Sequence, residues 1–146
     1  MHGITRCKSG KVDKLVITST FKVAGAALLL FVASGCAVEQ QTTQFSPMVT
    51  SKQSALERLD RQVDIQLNTG YARTLKSGSL WSDIGSITQG EVFKPYHDVF
   101  TLEGSQIHEA YLVVSNNTLT GFYLPFERSF SPLKPNIPLT FSKQEL

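Results

Sequence analysis

The sequence predicts a mainly β fold of the α+β kind: a small antiparallel sheet, curled or closed into a barrel, preceded by one N-terminal helix. Three observations carry this. From Tyr71 onward, short apolar and aromatic runs alternate with Gly, Ser, Asn and Pro, the spacing of antiparallel strands joined by turns. Residues 51–68 carry a helical period ahead of those runs. Twelve aromatic residues follow Cys36, which favours a packed core over disorder. The whole chain has 146 residues, one domain's worth, and about 110 residues suffice for a core without staples.

The first 35 residues stand apart. They hold Arg6, Lys8, Lys11, Lys14 and Lys22 against Asp13, a net of +4, whereas residues 36–146 hold nine Lys/Arg and eleven Asp/Glu, a net of −2. The mildly acidic remainder gives no electrostatic footprint for nucleic acid. Residues 23–35, VAGAALLLFVASG, are an uncharged run of 13, short of the roughly 20 needed to span a bilayer. Basic flank, apolar centre and small-residue exit form the three-part pattern of a secretory signal peptide. The 22 residues before the run are long for such a segment. A later initiation point at Val12, Leu15 or Val16 is therefore expected, leaving Cys7 without a role.

The exit VASGC, ending at Cys36, resembles the lipobox of bacterial lipoproteins, in which small residues precede an obligatory cysteine. The resemblance covers about 15 residues. It implies a diacylglyceryl group on the Cys36 sulfur, cleavage between Gly35 and Cys36, and acylation of the new amino group. Two or more chains anchor a protein stably where one does so only marginally. Ala37 at the next position, rather than aspartate, implies sorting to the outer membrane, with the domain on the periplasmic face. The expected organisation is a signal peptide over 1–35, a lipid-anchored flexible tether over 36–50 and a small helix-plus-β domain over 51–146.

The tether AVEQQTTQFSPMVT is rich in Gln and Thr; as a coil its 14 residues would reach roughly 20 Å. The helix at 51–68 rests on Ser54 and Glu57 at capping-box spacing, on Leu56, Leu59, Val63 and Leu67 along one face, and on a stop at Asn68-Thr69-Gly70. Val63, Ile65 and Leu67 also alternate as a strand would. Strands are expected at Leu80–Thr88, Glu91–Tyr96, Val99–Leu102, Ile107–Ser115 and Thr118–Leu124, with a short last one at Thr140–Phe141. Four of six prolines (Pro125, Pro132, Pro135, Pro138) fall in the last 22 residues. That tail is expected to run extended along an edge as a poor ladder partner.

The clearest hairpin turns at Asn116-Asn117. A plain two-residue turn pairs Ser115 with Thr118, Val113 with Thr120 and Tyr111 with Phe122 on one side. The other side then carries Val114 with Leu119, Leu112 with Gly121 and Ala110 with Tyr123. Both sides are largely apolar. Either both are buried, one by the curled sheet and one by the helix, or Tyr111, Val113 and Phe122 form an exposed partner-binding face.

Chemistry-bearing motifs are sparse. His97-Asp98 and His108-Glu109 are the only histidine–acid neighbours after Cys36, and adjacent strand residues face opposite ways. There is no H-E-x-x-H, no second cysteine after Cys36, no G-x-S-x-G and no phosphate loop, so no metal, cofactor or catalytic residue is expected. Trp81 reads as core. The function expected is non-catalytic: a binding or scaffold component of a cell-envelope assembly, such as a secretion or conjugation apparatus. Its partners would be the bilayer, through acylated Cys36, and envelope proteins. Two alternatives remain open. One is a ligand-binding barrel for a lipid or peptidoglycan fragment, with a cavity lined by Trp81, Phe93 and Tyr111. The other is an envelope hydrolase using His97, Asp98, His108 or Glu109.

Overall fold

A computed structural model of the chain describes residues 36–49 and 55–144. The expected signal peptide over 1–35 and residues 51–54 of the expected helix lie outside the described residues. Thirteen strands follow in order: β1 (Gln41–Thr42), β2 (Ser46–Pro47), β3 (Leu56–Leu59), β4 (Val63–Gln66), β5 (Ala72–Leu75), β6 (Leu80–Ile87), β7 (Gly90–Pro95), β8 (Thr101–Glu103), β9 (Ile107–Glu109), β10 (Tyr111–Ser115), β11 (Thr118–Leu124), β12 (Ser129–Pro138) and β13 (Phe141–Gln144). The main sheet runs β1-β12-β11-β10-β7-β6-β3-β13, with β2 on β6 beside β3; β4-β5 and β8-β9 are separate ribbons. Every pair is antiparallel. The sheet is not closed: β1 and β13 are its two ends, and the short segment from β1 to β2 links β12 with β6.

The described part of the expected helix is two strands. Leu56 and Leu59, three apart, are both buried although they point to opposite faces of β3, so a helical spacing arises from a strand with a buried leucine on each face. The chain breaks at Asp60–Gln62. In β4 the alternation at Val63, Ile65 and Leu67 prevails, and β4 pairs with β5. The ladders give the backbone its hydrogen-bond partners in place of helical ones, and Leu56, Leu59, Ile65 and Leu67 are still buried.

The Asn116-Asn117 turn is present, with both residues at positive φ. Two pairs away the register slips: Val113 faces Gly121, Leu112 faces Phe122 and Tyr111 faces Tyr123. Thr120 is the extra residue, and its hydroxyl donates to the Val113 carbonyl (3.1 Å). Such a bulge moves every later side chain to the other face. On β12 the same level carries a larger excursion, since Leu119 pairs with Ile137 and Gly121 with Pro132. The proline-rich tail is thus a ladder partner of β11 on both sides of this excursion, at Ser129–Pro132 and at Ile137–Pro138. On its other side only Phe130 and Ser129 are paired, to Gln41 and Thr42. That open flank is where prolines cost no hydrogen bond.

Each face of the sheet has a core. One holds Leu59, Trp81, Phe93, Leu112, Leu119 and Phe122, closed by Ile65, Leu67, Leu75 and Leu102 of the two ribbons. The other holds Ile87, Val92, Tyr111, Val113, Tyr123 and Phe130, with Phe45 and Ile84 packed against it. Residues 36–47 run as a strap rather than a flexible tether, with Val38 packed against the first core and Phe45 against the second. Thr43 N–H donates to the Arg128 carbonyl (3.3 Å), Met48 N–H to the Ile84 carbonyl (3.0 Å), and Phe45 stacks on Tyr123 at 5.3 Å. Gly85 lets the strap cross β6: a Cβ there would lie 2.2 Å from the Ser46 carbonyl oxygen.

Candidate functional site

Three places gather the residues that matter: the corner at Cys36, a cleft beside Trp81, and the hairpin face.

At the corner, the tips of the β4-β5 and β8-β9 ribbons meet the start of the strap. Ser105 N–H donates to the Cys36 carbonyl (3.2 Å). A Cβ at Gly104 would lie 3.1 Å from that carbonyl oxygen, 3.1 Å from Val38 and 3.2 Å from Thr69, so three segments close on one glycine. Thr69 Oγ1 donates to the Glu103 carbonyl (2.7 Å). Arg73 ties the ribbons together, with Nε on the Thr101 carbonyl (2.8 Å), Nη2 on the Thr101 hydroxyl, and an ion pair to Glu103 (2.8 Å). Two apolar side chains flank the tips in the open: Tyr71 is 48% exposed and Ile107 72%. Neither was singled out by sequence, because Ile107 falls in phase with a buried hairpin and Tyr71 stands outside any periodic run.

The cleft has a volume of about 690 Å³ and is lined by Arg73, Lys76, Trp81, Tyr96, His97 and Asp98 among others. Trp81 forms its floor and is buried, its indole N–H donating to Ser79 Oγ (2.9 Å). Tyr96 and His97 meet edge to face at 4.1 Å, with His97 at φ 54°. The Asp98 carboxylate accepts the Val99 N–H (2.7 Å) and so fixes its own loop. His108 is elsewhere: buried in β9, its Nδ1 meets Glu127 at 2.5 Å, joining β9 to the β11–β12 turn. Glu109 accepts from the Tyr111 hydroxyl (3.1 Å). The two histidine–acid pairs are therefore not brought together. Among the described residues no group of three His, Cys, Asp or Glu side chains could hold a metal.

The hairpin face corrects one expectation. Phe122 (1% exposed), Val113 (0%) and Tyr111 (8%) are buried, and the bulge at Thr120 puts Phe122 in one core and the other two in the second. They form no joint exposed surface. Trp81 and Phe93 likewise share a core that Tyr111 does not, so these three line no common cavity.

Burial, followed by the hydrogen bond and charge of Glu109, pushes the Tyr111 hydroxyl up to about 12 from 10.0. The folded state holds this proton more tightly than the unfolded chain. The stabilisation is thus complete below pH 10 and is lost as pH rises towards 12. In an ultraviolet pH titration, one phenol is expected to ionise late and together with alkaline unfolding, and Tyr111→Phe to remove that late step. A Tyr111 that titrates with the exposed phenols would contradict it.

No family model, no curated protein and no solved structure matches this chain.

Proposed function

We propose that the chain is an outer-membrane lipoprotein, held on the periplasmic face through acylated Cys36. Its β domain serves as a non-catalytic binding or scaffold part of an envelope assembly. The observation that carries this is the basic flank, 13-residue apolar run and VASGC exit, in the order of a lipoprotein signal. The compact unit of strands runs from Cys36 to Leu146, which suits a mature chain starting at that residue. The dispersal of His97, Asp98, His108 and Glu109 over two places, and of Trp81, Phe93 and Tyr111 over two cores, favours this reading over the hydrolase and the ligand barrel.

Lipid transfer to the Cys36 sulfur and cleavage after Gly35 would leave Cys36 as the first residue and remove Cys7 with the leader. Cys36→Ala is expected to abolish incorporation of labelled fatty acid and to leave a larger, unprocessed band in cells. Normal labelling and size for that variant would rule the anchor out. The scaffold role is tested by crosslinking in intact cells: an envelope protein captured with the wild-type chain should be lost with Cys36→Ala.

A further inference from the structure

We infer that the corner at Cys36 lies directly on the bilayer, with Tyr71 and Ile107 seated at the boundary between headgroups and acyl chains. This rests on the anchor proposed above and adds an orientation that the anchor alone does not give.

Slack decides the matter. Had residues 37–50 been a free coil, the domain could stand roughly 20 Å from its attachment point and face any way. Instead the Cys36 carbonyl is bonded to Ser105, Val38 packs against the core, and Gln41–Thr42 is laddered to β12. A lipid thioether on Cys36 places its glycerol among the headgroups. With the following residues fixed to the domain, whatever surrounds Cys36 must come to the same depth.

What surrounds it suits that depth. The two ribbon tips beside Cys36 are Asn68-Thr69-Gly70-Tyr71 and Gly104-Ser105-Gln106-Ile107, and neither stretch contains a charge. Arg73 and Glu103, the nearest ionic groups on the ribbons, neutralise each other at 2.8 Å. Glu39 on the strap accepts a hydrogen bond from Gln41 Nε2 (3.2 Å). Tyr71 and Ile107 are the two large apolar side chains flanking these tips that stay open to solvent. An aromatic ring with a polar tip favours the interface, and an aliphatic side chain favours the region just below it. With no basic cluster among the described residues at the corner, seating depends on apolar burial and not on attraction to anionic lipid.

The test uses the acylated full chain, expressed with its own leader and reconstituted into phosphatidylcholine vesicles with brominated acyl chains. Tryptophan is placed singly by Tyr71→Trp, Ile107→Trp or Asn117→Trp, the last in the β10–β11 turn beside Glu91 and Lys143. Native Trp81 is buried and supplies a constant background. The added tryptophans at positions 71 and 107 are expected to lose emission to bromine and to shift to the blue. Asn117→Trp should behave as it does without bromine. Replacing part of the phosphatidylcholine with an anionic lipid should leave the pattern unchanged. Acylated Cys36 found by mass spectrometry, with no quenching at 71 or 107, would overturn the orientation and leave the anchor standing. A Cys36 that carries no acyl group would overturn both.

Discussion

Phe122→Ala is expected to destabilise the domain by about 3–5 kcal/mol, the range for emptying a buried aromatic site. Phe122 is among the largest fully buried side chains of the described residues. It faces Leu112 across the β10–β11 ladder and stacks on Phe100 at 5.7 Å, which in turn meets Trp81 edge-on at 6.1 Å. Phe100 therefore loses its stacking partner, and the row of rings that runs on to Trp81 is left with a gap at one end. Small domains hold only about 5–15 kcal/mol in total, so the urea midpoint should fall steeply. Phe126→Ala, at an exposed position of the β11–β12 turn, should change it by less than about 0.5 kcal/mol. If Phe122→Ala were as mild as Phe126→Ala, Phe122 would lie on an open surface, as a partner-binding hairpin face requires.

Gly85→Ala is expected to lift the strap from β6. The new Cβ would sit 2.2 Å from the Ser46 carbonyl oxygen and 2.9 Å from the Pro47 Cα. Both are backbone atoms, so no side-chain rotation relieves the clash, and φ of +147° adds strain for any residue with a Cβ. The cost should be about 1–3 kcal/mol, as for other overpacked sites. The sharper readout is local. The Met48-to-Ile84 hydrogen bond breaks, and proteases should cut between residues 43 and 49 faster than in the wild type. Gly78→Ala separates the two causes, because Gly78 also has a positive φ (+82°) but has nothing within 4 Å of a Cβ. It should carry backbone strain alone and leave the strap protected. Equal protease resistance in Gly85→Ala and wild type would mean that β2 does not hold the strap.

Much of the sheet was legible from sequence because local signals and final environment agree there. The strand Thr118–Leu124 lies where the apolar run and the Asn-Asn turn put it, and β6 and β7 are joined by a turn at Thr88-Gln89, next to the Gly90 that the runs mark. Residues 56–67 misled because Leu56 and Leu59, three apart, are both buried in β3, a spacing that a helix also produces; the pairing partners Leu80–Ser82 and Phe141–Gln144, distant in sequence, distinguish them. The bulge at Thr120 has no marker of its own. A threonine that returns its hydroxyl to the opposite carbonyl looks like any strand threonine, yet it reassigned Tyr111 and Phe122 to different cores. The Gln- and Thr-rich stretch after Cys36 reads as coil because its anchoring groups, Phe45 and the backbone at 41–42 and 46–47, need a ring and edges supplied by distant strands. The open pair Tyr71 and Ile107 became visible only when the ribbon tips were seen to converge.

The places of β1 and β3 in the sheet also bear on time. The ladder of β1 waits on Ser129–Phe130, and the outer side of β3 waits on Phe141–Gln144. A chain delivered from its N-terminus makes these early strands first and their partners last. Pairings this far apart in sequence form slowly, and until they form the strand edges are open to wrong partners. The domain therefore cannot finish folding on the way through a narrow exit. Residues through Phe130 must be free on the same side before β1 can pair, and residues through Gln144 before β3 gains its outer neighbour.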